Sequence, residues 1–133
     1  MGKGIFVTGT GTDIGKTYVT ALIVKKLADA GIRTGYYKAA LSGAKSIGDS
    51  DAGYVKKIAG ITQEDTSLLS YLYQNAVSPH LAAQIEGNPV DPEKIKKDFE
   101  NKIFQVFAKI KHHKQNLKYK IGDGKLLIAY DVS

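Results

Sequence analysis

The chain has 133 residues, a formal net charge of +6 at pH 7, 43% hydrophobic and 24% charged residues, and no cysteine. That length predicts a single domain, residues 1–133, able to bury a core unaided. Without cysteine, disulfides and thiolate-ligated metals are excluded, and no apolar run approaches the roughly 20 residues that span a bilayer. Glycines and threonines break the first apolar stretch almost at once, unlike a signal peptide, so a cytoplasmic setting and no membrane partner are expected.

In chain order, Lys3–Thr8 reads as a short buried strand, because Ile5, Phe6 and Val7 are continuous, as in a parallel sheet covered on both faces. Lys16–Ala30 follows as a helix, with Val19, Leu22, Ile23, Leu27 and Ala30 at helical spacing and Gly31 as its stop. Arg33–Lys38 predicts a second strand, so the opening reads as a βαβ crossover. Residues 41–50 are small and polar, which predicts a loop. Ser50 then caps a helix to Ala59, with Ala52, Val55 and Ile58 on its apolar face and Gly60 ending it.

Thr62–Val77 fits either period. Ser78-Pro79-His80 predicts a helix start, and Asn88–Pro92 a break with Asp91 capping and Pro92 in the first helical position. Ile95, Phe99, Ile103, Val106 or Phe107, and Ile110 mark one side of a long amphipathic helix. Two apolar runs around Gly122-Asp123-Gly124 predict a hairpin or a turn into a last strand. The pattern as a whole is α/β, with a mainly parallel sheet flanked by helices.

The nucleotide-binding candidate is the stretch Gly9, Thr10, Gly11, Thr12, Asp13, Ile14, Gly15, Lys16 and Thr17. A strand running into a glycine-rich turn and then a helix points backbone N–H groups and a helix N-terminus at a phosphate. Lys16 would reach the β- and γ-phosphates, and the Thr17 hydroxyl would sit where a phosphate-bound Mg2+ takes an oxygen ligand. The spacing is one residue longer than GxxxxGK[ST], with the first glycine at Gly9. A nucleotide with phosphate-bound Mg2+ is therefore the expected ligand.

Other candidates carry less on their own. Lys38 closes the second strand, at the edge where α/β proteins bind ligands, though a lone lysine there also reads as a solvent-exposed residue. Asp49 and Asp51 read as caps or as a cation ligand. His80 reads equally as a surface residue. His112 and His113 face different directions on a helix and do not make a metal pair. The basic cluster from Lys109 to Lys120 has no zinc-finger or RNP-type spacing beside it, so it reads as a solvated helix face and no nucleic-acid partner is expected.

GTGTDIGKT after an FV strand, then GYYK with SG four residues past the lysine, then SDAG and SPHLAA, resembles the dethiobiotin synthetases from Lys3 to about Asn101. These are ATP-dependent enzymes of biotin synthesis with a P-loop NTPase-like fold. They carboxylate 7,8-diaminononanoate with CO2, phosphorylate the carbamate and close a cyclic urea. The resemblance implies that Lys16 and Lys38 are active-site lysines and that Thr12 lines the phosphate and carbamate region. It also implies that Ser42, Ser78, Pro79 and His80 contact the substrate, that Thr17 and Asp51 hold Mg2+, and that the protein is a homodimer. Ala39 stands where the family usually has proline, and the family's later EGAGG-like motif is not found. Residues 102–133 diverge, so a shortened version of the fold is expected, with a phosphate-binding module without turnover as the alternative. Leu126-Leu127-Ile128-Ala129-Tyr130-Asp131, an apolar run ending in an aspartate, has the outline of a Walker-B strand, but lies too far along the chain to align cleanly.

Overall fold

The computed structural model describes residues 2–7, 15–108 and 126–131, and the side chains of residues 4–7 and 15–102. Strand β1 (Gly2–Val7) leads to helix α1 (Lys16–Asp29), strand β2 (Arg33–Ser42) and helix α2 (Asp51–Ala59). A 3₁₀ turn at Asp65–Ser67 precedes β3 (Leu69–Tyr73), α3 (Pro79–Glu86), α4 (Pro92–Ala108) and β4 (Leu126–Asp131). The four strands form one sheet in the order β1-β4-β2-β3. β2 and β3 are parallel, and β4 is antiparallel to both β1 and β2. Three strands therefore run one way, with β4 inserted against them.

Both faces of β2 and β3 are covered, as the apolar run of β2 requires, whereas at β1 Phe6 is 37% exposed, so that strand is not buried on both faces as its apolar run predicted. On one face Tyr36, Leu41, Leu68 and Leu69 pack with Ala21 and Val24 of α1 and Ala52, Val55 and Ala59 of α2. On the other, Tyr37, Tyr71 and Tyr73 pack with Ala82 and Ala83 of α3 and with Ile95 and Phe99 of α4. The alternation of β2 slips by one at Ala39-Ala40, both of which join the α3–α4 face, before Leu41 returns to the α1–α2 face. β3 slips at the same level. Ser70, bonded to the Tyr37 hydroxyl, and Tyr71 share the α3–α4 side, and Leu72 packs on the other. The ladder passes from Lys38↔Leu69 directly to Ala40↔Tyr71. Paired slips keep two parallel strands in register, while each alone would turn the rest of its strand over.

Several expectations need correction. β2 continues four residues past Lys38, so Leu41 and Ser42 belong to a strand and not to the polar loop. β3 has pairing partners in β2, which settles the ambiguous stretch from Thr62 as turn and strand. On α1 the buried side chains are Thr20, Ala21 and Val24, while Val19 and Leu22 are 49% and 43% exposed. Small residues face the sheet because α1 lies close to both β2 and α2. On α2, Ala59 is buried and Ile58 lies outward. Ser50, Ser78 and Asp91 accept backbone N–H groups at the starts of α2, α3 and α4, as expected of such residues. Lys109–Lys120, with His112 and His113, and Gly122–Gly124 lie outside the described residues.

Candidate functional site

The site is built at one end of the sheet. Val7, Leu126, Lys38 and Leu69 share one row across β1, β4, β2 and β3. β1 thus ends level with Lys38, two strand spacings away, or about 10 Å. Gly15, at φ +81, occupies the N-cap of α1, and that left-handed turn suits a residue without a Cβ. Lys16 and Thr17 follow as the first residues of the helix. Gly9, Thr10, Gly11, Thr12, Asp13 and Ile14 lie outside the described residues.

The second component comes from α2. Its Ser50 cap accepts the Gly53 N–H at 3.3 Å and donates to the Ile47 carbonyl at 2.6 Å. This closes the loop onto the helix start and sets Asp51 in the first turn. The Thr17 hydroxyl donates to the Asp51 carboxylate at 3.4 Å, joining the starts of α1 and α2. Asp49, the other acidic candidate, instead accepts from the Ser46 hydroxyl at 2.8 Å. Lys38 is half-buried on the same face. Burial pushes its ammonium below the usual lysine range, Asp51 pulls it back up, and Lys16 pushes it down again. Lys16, Thr17, Lys38 and Asp51 therefore act on one another within one corner.

This corner can hold a polyanion and a hard cation. One carboxylate and one hydroxyl are the donor set that suits Mg2+ completing its shell from phosphate oxygens and water. Among the described residues, no group of three or more His, Asp or Glu side chains forms a cage by itself.

The remaining predicted residues sit differently. Ser42, at the end of β2, donates to the Val77 carbonyl, while Gly43 and Ala44 donate N–H groups to the Tyr73 carbonyl. The loops after β2 and β3 are thereby tied together. Ser78 accepts the Leu81 N–H at 3.4 Å as the cap of α3. Pro79 and His80 line a cavity of about 430 Å³ together with Ala39, Ala40, Gln84 and Pro89. That cavity lies on the α3–α4 face, so β2 separates it from Lys38 and Asp51. The two flank the C-terminal end of β2 from opposite sides. Ala39 and Ala40 leave the cavity its room, since both point there and neither extends past a methyl group.

The Walker-B reading of Leu126–Asp131 is overturned by strand direction. Asp131 pairs with Gly2 and Arg33, at the end of the sheet away from Lys38. A carboxylate serving the phosphate loop would have to stand at the other end. Tyr36 belongs to the corner and was not foreseen. Burial first, and the Asp51 charge second, push its phenol far above the usual tyrosine range. Nothing in an apolar strand pattern distinguishes such a tyrosine from an ordinary core residue.

Comparison with known proteins agrees with the motif order. A family model described as an AAA domain matches residues 3–108. The chain is 58% identical over 101 residues to the ATP-dependent dethiobiotin synthetase BioD of Brachyspira hyodysenteriae, covering 76% of this chain and 46% of that protein. Proteins of the same name from Clostridium botulinum strains Loch Maree and 657 are 55% and 57% identical over 103 residues, with 74% of this chain and 45% of each relative covered. The chain thus spans less than half the length of these relatives. With the strand, the left-handed Gly15 and the Lys16-Thr17 helix start inside the matched span, the chain belongs to this AAA-domain family, and within it is similar to the dethiobiotin synthetases.

Proposed function

We propose that this chain binds ATP with Mg2+ at the Lys16–Thr17–Lys38–Asp51 corner and serves the ATP-dependent carboxylation and ring closure of 7,8-diaminononanoate to dethiobiotin. The observation that carries this reading is the convergence of those four residues at the end of the sheet where the 8–14 connection begins. The names of the similar proteins support the reaction.

The chemistry asks two anions, a carbamate and a γ-phosphate, to approach each other. Lys16 at the helix start and the half-buried Lys38 offset that repulsion, and burial strengthens the effect of each charge. An anion beside Lys38 counters the downward push that burial exerts on its ammonium. Thr17 and Asp51 would hold Mg2+, which neutralises phosphate charge when bound. Phosphoryl transfer of this kind rests on position and charge, and no nucleophilic triad is required. Thr12 and the backbone of Gly9–Gly15 would line the phosphates. Ser42, Ser78, Pro79 and His80 would border the diamine. A homodimer in the cytoplasm completes the proposal, and sedimentation analysis of the purified chain reads its oligomeric state.

The test is phosphate release from Mg·ATP with and without 7,8-diaminononanoate and bicarbonate. Release that depends on the diamine supports the ligase. Its absence alongside intact ATP binding leaves a phosphate-binding module. Lys16→Ala is expected to abolish Mg·ATP binding without lowering the melting temperature, and unchanged affinity in that variant removes the basis of the nucleotide site.

A further inference from the structure

Tyr36 is fully buried, within the cluster that also holds Ala21 and Val24 of α1 and Ala52 and Val55 of α2. Its ring therefore lies among the residues that join the two helices, one starting at Lys16-Thr17 and the other at Asp51. Its main chain is fixed from the side by Gln63. That amide accepts the Tyr36 N–H at 2.8 Å and donates to the Tyr36 carbonyl at 2.8 Å.

The other buried tyrosines all use their hydroxyls. Tyr37 is bonded to Ser70, Tyr71 accepts the Asp91 N–H at 3.0 Å, and Tyr73 donates to the Asn88 carbonyl at 2.6 Å. Among the described residues the Tyr36 hydroxyl is the buried side-chain polar atom left without a partner. A phenylalanine would fill the same space without burying an unpaired donor, so the hydroxyl needs a reason outside the ligand-free fold. The charge that reaches it is the carboxylate of Asp51. Burial first, and that charge second, push the phenol above its usual range, so the hydroxyl keeps its proton at ordinary pH.

We infer that the Tyr36 hydroxyl is a positioning group for Asp51, donating to that carboxylate, directly or through one ordered water, when the phosphate-bound cation assembles at the corner. The inference rests on the ATP and Mg2+ reading above. Its physical content is orientation. A carboxylate on an exposed first turn has several rotamers, and a donor from the core selects the one that meets the cation, as partners behind a metal ligand commonly do.

The experiment compares wild type, Tyr36→Phe, Asp51→Asn and the double variant as full chains, with ATP affinity measured by calorimetry in excess Mg2+ and in EDTA. Tyr36→Phe is expected to melt at or above the wild-type temperature without ligand. Its affinity for Mg·ATP is expected to fall about tenfold, with the affinity in EDTA unchanged. On the Asp51→Asn background the same change should add nothing. Wild-type affinity in Tyr36→Phe, equal losses with and without Mg2+, or additive losses in the double variant each overturn the inference. So does a ligand-free Tyr36→Phe that melts well below wild type, since the hydroxyl would then have a resting partner. A wild-type chain with no Mg2+-dependent ATP binding overturns the nucleotide reading itself, and this inference with it.

Discussion

Gly53 shows how one missing methyl group sets the position of a charged one. It lies in the first turn of α2, where a Cβ would stand 2.5 Å from the Ile47 carbonyl oxygen. That neighbour is backbone, in the loop that the Ser50 cap pulls onto the helix, and it cannot swing aside as a side chain would. Gly53→Ala must therefore push the 47–50 loop and the start of α2 apart. The expected cost is about 1–3 kcal/mol in urea denaturation, with weakened Mg·ATP binding because Asp51 moves with the turn. A variant with wild-type stability and affinity would show that the loop is free to shift. The Ser50 cap and the glycine could both be picked out in the sequence as SDAG. The reason for the glycine could not, because the atom it avoids belongs to a loop whose path depends on the folded helix. Tyr36 was harder still. Its apolar neighbours come from α1 and α2, and the orphaned hydroxyl shows only once those helices have closed over it.

At the scale of elements, periodic patterns located helices better than they oriented them. Val19 and Leu22 fit the helical repeat but lie outward, because close packing of α1 on β2 and α2 selects Thr20 and Ala21 for the inner face. β2 outran its expected end because pairing with β3 carries the strand through Ala40, Leu41 and Ser42, a non-local cause. Its continuation brings Ser42 to the loop after β3, and that loop is held in turn by α3. The Glu86 carboxylate accepts from the Asn75 side chain at 3.0 Å and from the Gln74 and Asn75 N–H groups at 3.1 and 3.2 Å. The Asn75 side chain first, then the Gln74 backbone, hold its pKa below the usual glutamate value. A depressed carboxylate contributes stability that is present above the unfolded pKa, about 4.3, and lost as pH falls through the folded value. Wild type should therefore lose more stability than Glu86→Gln on acidification through that window. Denaturation midpoints at neutral pH and below pH 4 supply the comparison, and parallel losses in the two proteins would mean that the latch carries no charge dependence.

For the whole molecule, the decisive feature is β4. Among the described residues β1 pairs with β4 alone, and β4 in turn pairs with β2. The 8–14 connection begins at β1 and ends at α1, so its upstream anchor is held through a strand from the far end of the chain. Sequence periodicity could announce an apolar segment at Leu126–Asp131, but strand direction and insertion between β1 and β2 depend on contacts more than 80 residues apart. A proline in an inner strand removes a ladder donor, and its ring disfavours the neighbouring pairing. Ala129 is paired with Gly4 on one side and Gly35 on the other, so Ala129→Pro disrupts the centre of both ladders. The expected loss is about 3 kcal/mol of stability. Hydrogen exchange should speed up in β1 more than in β3, whose pairing with β2 is independent of β4. Mg·ATP affinity should fall as well, because the glycine-rich connection loses its fixed start while Lys38, Asp51 and the α1–α2 packing stay in place. Intact protection of β1 with normal ATP binding would mean that β1 is held by its packing on α1 alone, and that β4 plays no part in building the site.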